Sequence, residues 1–172
     1  MASMLKGDVL VLYHRTMSPY AGTVMEHVQS FEKYSRFKTW NVNTELGFPG
    51  GLDDCDFGVV VLHYSLFGIY PYQMSDRFRA FLKRTRALKI AFFQDEHRFC
   101  RERFAFLNEF RVDWIYTLLQ PEHFDVYQTR TPVAKVFYHL PGYVDDALVQ
   151  TAKRFHRPDE ERTVDVGYRA RR

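Results

Sequence analysis

The chain has 172 residues, enough for one domain with a sizeable core. Hydrophobic residues make up 46% of it and aromatics 17%, which excludes a disordered or low-complexity chain. A net charge of +3 does not call for a nucleic-acid partner, and none is expected.

Cys55 and Cys100 are far apart and lack metal-ligand spacing. They read as reduced thiols of a cytoplasmic protein, in the core or near the surface. The apolar run at residues 9–13 is too short for a signal peptide. The longest apolar stretch, residues 59–70, is interrupted by His63 and Ser65, so no membrane span is expected.

In chain order, residues 8–14 read as a first buried strand ending in His14. Ser18 and Pro19 give a cap followed by proline, a helix-start signal. Ala21, Val24, Val28 and Phe31 follow at helical spacing, with Glu26, Gln29 and Lys33 away from that stripe. Residues 37–42 form a weaker strand, placed nearer an edge. Pro49, Gly50 and Gly51 make a turn. Residues 57–64 have a β-branched centre suited to a buried strand, and that strand ends in His63, Tyr64 and Ser65.

Ser75 and Asp76 open a helix with Met74, Phe78, Phe81 and Leu82 inward. Arg79, Lys83, Arg84 and Arg86 lie on its outward face, which could meet anionic lipid headgroups or simply be solvated. Residues 90–93 are a short unbroken apolar run, as in a strand buried on both sides. A helix follows over residues 99–110, a fifth strand over 112–119, and a short helix from Pro121. The sixth strand covers residues 134–140, closed by Pro141 and Gly142. Val144, Leu148, Ala152 and Phe155 mark a last helix with an acidic first turn.

This alternation is the rhythm of βαβ units. The expected fold is α/β: a Rossmann-like parallel sheet of about six strands with helices on both faces, a three-layer sandwich. Residues 1–157 form that domain. Residues 158–172 read as a charged linker, with Val164 to Tyr168 as the opening strand of a further domain that this sequence lacks.

In a parallel sheet the carboxyl ends of all strands share one rim, and ligands bind beyond it. His14, His63, His97 and His139 fall at or near such ends, joined by Tyr64, Gln94, Asp95 and Glu96. Such a gathering suggests a cleft for a polar ligand. The plainer alternative is that Asp95 and Glu96 only cap the next helix. No His-x-x-x-His pair supports a metal site. Walker, Gly-x-Gly-x-x-Gly and Gly-x-Ser-x-Gly patterns are all missing, so the chain holds no nucleotide motif or serine-hydrolase motif of its own.

The His-Tyr-Ser ending after residues 59–62, Phe-Gln-Asp-Glu at 93–96 and Val-Asp-Val-Gly-Tyr-Arg-Ala-Arg at 164–171 resemble bacterial glycosyltransferases of the GT-B fold, family 4-like. The resemblance is to their N-terminal, acceptor-side domain. It implies transfer of a sugar from a nucleotide-sugar donor to a glycan, lipid or small-molecule acceptor. The donor would be held mainly by the missing C-terminal domain, and this chain alone would be inactive. It implies no cofactor and no catalytic metal. Asp95 is the first choice for the base and His63 or His14 the second, with Tyr64, Gln94, Glu96 and His97 around the acceptor. A lipid acceptor would bring the protein to the inner face of the membrane. The competing expectation is a non-catalytic Rossmann-like module that uses the same rim to bind a small ligand or a protein.

Overall fold

The structure, a computed structural model, describes residues 7–15, 22–140 and 144–164. The expected cap at Ser18 and Pro19, the turn at Pro141 and Gly142, and the strand beginning near Val164 lie wholly or largely outside the described residues. The described chain contains a six-stranded parallel sheet, in the order β2-β1-β3-β4-β5-β6. The strands are β1 (Asp8–Tyr13), β2 (Thr39–Asn43), β3 (Phe57–Leu62), β4 (Leu88–Phe92), β5 (Trp114–Thr117) and β6 (Lys135–Tyr138). The helices are α1 (Thr23–Tyr34), α2 (Asp76–Arg84), α3 (Cys100–Glu109), α4 (Asp125–Gln128) and α5 (Asp146–Phe155). The weak strand β2 lies at one edge, where its pattern of half-buried residues is tolerated.

Period-two alternation divides the strand residues between two faces. On one face Leu10, Leu12, Val60, Leu62, Ala91, Phe93 and Ile115 pack under α2, α3 and α4, whose Phe78, Phe81, Leu82, Phe106, Leu107 and Tyr127 complete the main core. On the other face Val9, Val11, Val59 and Val61 meet Val28 of α1, with Met25 and Phe31 packed against them.

The two faces are not equally covered. The expected burial of β4 on both sides holds for Ala91 and Phe93, whereas Leu88, Ile90 and Phe92 are only half-buried. Helix α1 covers β1 and β3 and reaches Phe92 of β4 through His27 and Phe31, but α5 does not extend that cover. No α5 residue is buried, and Leu148 and Phe155 remain 52% and 69% exposed. Phe92, Tyr116 and Phe137 instead shield one another as a stacked ladder across β4, β5 and β6, with centroids 4.7 and 5.2 Å apart.

The basic face of α2 is largely neutralised. Arg79 pairs with Asp76 and Glu109, Lys83 with Glu109, and Arg84 with Asp53. Both cysteines are free and exposed. Among the described residues, no helix is long and apolar enough to cross a membrane.

The unequal faces give a test. Phe93 is fully buried between Phe67 and Tyr127. Phe93→Ala should cost about 3–5 kcal/mol by urea denaturation. Phe92→Ala, on the half-covered face, should cost clearly less. Equal losses would mean that the second face is as well packed as the first.

Candidate functional site

Strand order alone locates the place to look. β2 and β3 leave β1 on opposite sides, so the order reverses between β1 and β3. In open α/β sheets the crevice at that reversal, beyond the carboxyl ends, is the usual ligand site. His14 follows β1, and His63 follows β3. Asp95 follows β4, the next strand along. The three therefore lie on one edge of the sheet.

Ser65 joins the first two. Its Oγ accepts the backbone N–H of His14 at 3.0 Å and lies 2.9 Å from His63 Nδ1. The 3-10 turn Tyr64–Phe67 supplies this geometry, because His63 caps it: the Ser65 backbone N–H donates to His63 Nδ1 at 3.1 Å. His63 Nε2 lies 3.0 Å from Nδ1 of His27, one turn into α1. His63 is completely buried, with both ring nitrogens engaged. Burial, with His27 second, holds its pKa down at about 2. Burial, with His139 second, holds that of His27 down at about 4. Tyr64 stacks on His27 and lies tilted 4.0 Å from His63, and burial followed by Glu26 raises its phenol.

His14 is half-buried. Its Nδ1 lies 3.1 Å from Thr44 Oγ1 and its Nε2 3.1 Å from Glu45 Oε2. Burial lowers its pKa more than Glu45 raises it. The Thr44 hydroxyl donates its one proton to the Gln73 carbonyl at 2.8 Å, so toward His14 Nδ1 it presents its oxygen.

The loop after β4 is built differently. Asp95 has φ 49 and Phe99 φ 52, both in the left-handed region that only a few side chains tolerate well. The Asp95 carbonyl accepts from Arg103 Nη1 at 3.0 Å, and Arg103 Nη2 donates to the carbonyl of Phe67. This buried guanidinium thus ties the loop after β4 to the turn after β3, with the Phe93 ring 5.8 Å away. The Asp95 carboxylate is left exposed and makes no hydrogen bond or ion pair among the described residues.

Glu96, expected beside a ligand, turns inward. It accepts from Thr117 Oγ1 at 2.6 Å, from the Leu118 backbone N–H at 2.7 Å, and from the Tyr127 hydroxyl. Burial and then Glu96 push the Tyr127 phenol up, so it stays a donor. Glu96 therefore clamps β4 to β5 and α4. The side chains of Gln94, half-buried, and His97, exposed, make no hydrogen bond among the described residues. His139 Nε2 donates to the Phe93 carbonyl at 3.3 Å, closing the row at β6.

His27 and Arg103 were not among the residues singled out by sequence. His27 falls on the apolar stripe of α1, between Val24 and Phe31, and a titratable group on an inward helical face is the signal for it. Arg103 shares the inward face of α3 with Phe106 and Leu107. Among the described residues no cluster of His, Cys, Asp or Glu is arranged to hold a metal ion.

The lowered imidazoles predict a pH dependence of folding. A folded-state pKa below the unfolded value of about 6.5 means that the unfolded chain takes up protons first on acidification. Stability contributed by His63 and His27 is complete above that value. It declines as pH falls from about 6.5 toward their folded values, at up to about 1.4 kcal/mol per pH unit for buried His63 and less for half-buried His27. Urea denaturation between pH 7.5 and 5 should follow this slope in the wild type, and the double variant His27→Gln/His63→Gln should flatten it. No family model, curated protein or solved structure matches the chain.

Proposed function

We propose that this chain is the acceptor-side half of a two-domain glycosyltransferase of the GT-B fold, moving a sugar from a nucleotide-sugar donor to a hydroxylated acceptor. The observation that carries this reading is the common edge formed by His14, His63 and Asp95 at and beside the reversal of strand order. In this reading it would form one wall of a cleft, and the donor-binding domain would supply the other. The sequence has no phosphate-binding glycine loop of its own, which fits a donor held elsewhere.

In an inverting transfer the acceptor oxygen attacks the anomeric carbon, the bond to the leaving diphosphate breaks, and a base takes the acceptor proton. The residues on the rim divide these tasks unequally. Both nitrogens of His63 are engaged, so it orients its neighbours. His14 is paired with Glu45 and Thr44. Asp95 alone of the three presents an unpaired basic group, at a backbone position fixed by Arg103. Asp95 is therefore the base in this reading. The alternative of a ligand-binding module without chemistry draws on one observation: the imidazoles of the β1–β3 crevice are locked by hydrogen bonds, as suits recognition.

Nucleotide release by the complete gene product, screened over nucleotide-sugar donors, tests the reading. Asp95→Asn should lower turnover by about 10²-fold or more without a matching change in acceptor KM. Undiminished turnover removes Asp95 as the base. Acceptor binding without turnover on any donor favours the binding module.

A further inference from the structure

The hydrogen bonds around His63 determine which atoms the rim offers a ligand. A backbone N–H can only donate, so the one from Ser65 requires an unprotonated Nδ1 on His63. The proton of the neutral ring is then on Nε2 and is donated to His27 Nδ1. His27 must in turn carry its own proton on Nε2, which has no hydrogen-bond partner among the described residues. The ring itself is held on three sides: Tyr64 stacked at 5.5 Å, Phe31 at 5.2 Å and the edge of Phe92 at 5.7 Å.

His139 contributes the complementary atom. It stands against the same Phe92 ring, 5.5 Å away, and lies close enough to His27 for the two to interact electrostatically. Its Nε2 donates to the Phe93 carbonyl, so Nδ1 of the neutral ring is a lone-pair acceptor. An N–H donor and a nitrogen acceptor are thus carried by two rings that both contact Phe92. A hydroxyl group, which accepts and donates at once, matches that pair, whereas a phosphate or carboxylate meets only one half of it. The charged groups nearby also disfavour an anion: Glu26 acts on Tyr64, and Glu45 is paired with His14.

We propose that His27 and His139, both packed against Phe92, form a hydroxyl-recognition pair, and that the ligand they take is an uncharged sugar. This rests on the acceptor-site reading above and narrows it to a neutral glycoside, in place of an anionic lipid headgroup. His27 donates from Nε2 to one sugar oxygen, and His139 accepts at Nδ1 from that hydroxyl or its neighbour. His63 is the positioning residue that holds the tautomer of His27.

The test uses the 172-residue chain labelled with 15N-histidine. Long-range 1H–15N spectra at pH 7.5 should place the protons of His27 and His63 on Nε2. Titration with methyl pyranosides should shift the His27 Nε2 and His139 Nδ1 signals, and the matching sugar 6-phosphates should bind no better. His27→Phe should weaken pyranoside binding about tenfold, and His27→Gln, which keeps an N–H donor, should recover part of the loss. His63→Gln should release the His27 tautomer into a mixture. An Nδ1–H tautomer on His27, unshifted imidazoles in a saccharide-bound protein, a preference for the phosphates, or no response to any pyranoside would each overturn the proposal. Pyranoside shifts at His27 in a protein whose complete form transfers no sugar would instead sink the glycosyltransferase reading and leave this site standing.

Discussion

The bond from the Ser65 backbone to His63 Nδ1 is a small interaction with a long reach. A side-chain donor in its place could be turned or deprotonated, but an amide N–H cannot. Because His63 is sealed from water, its second nitrogen must also find a partner inside the protein. That partner is His27, and with it the first turns of α1 are tied to the tip of β3. The cost of leaving either nitrogen unsatisfied in a dry site is larger than the net gain of an ordinary hydrogen bond. The pair is therefore specified by avoidance of a penalty, and burial, which disfavours the charged form, lowers the pKa of both rings.

The rest of the rim is fixed in the same manner, by cross-ties between successive strand ends. Ser65 links β1 to β3, Arg103 links the turn after β3 to the loop after β4, Glu96 links β4 to β5, and His139 links β6 back to β4. Arg103 is unusual among them. It is buried with carbonyl oxygens as partners, and its Nε has none. A buried cation held by backbone dipoles and a ring face is costly to place, and burial accordingly lowers its pKa. Its return is positional: it holds the carbonyl of a left-handed residue, Asp95, while leaving the carboxylate outside. Strained backbone of this kind persists where surroundings over-determine it.

Much of this fold was legible because strands such as residues 57–62 carry their β-branched runs in sequence, and the alternation with helical stripes dictates parallel crossovers. The rim followed from topology, since parallel strands bring His14, His63 and Asp95 to one edge whatever the details. Side-chain direction did not follow. Glu96 sits one residue from Asp95 yet turns inward, because Thr117, Leu118 and Tyr127, distant in sequence, converge on it. His27 was hidden for the opposite reason: its position on the apolar stripe of α1 reads as packing until His63 is known to lie opposite. The stripe of Val144, Leu148, Ala152 and Phe155 announced a helix correctly, but periodicity cannot say what a helix faces, and this one presents its apolar side to solvent.

The groups on the rim differ in how fully they are engaged. A general base needs a lone pair that is free in the resting state, and an orienting group needs the reverse, a bond that does not exchange. His63 meets the second requirement completely and fails the first. Asp95 meets the first, and its position is secured through its backbone carbonyl, so that nothing competes for its carboxylate. His27 lies between them: one nitrogen is fixed, the other open, and its charge state is held neutral by burial. The three groups thus differ in engagement: His63 is bonded at both nitrogens, His27 at one, and the Asp95 carboxylate at neither oxygen among the described residues.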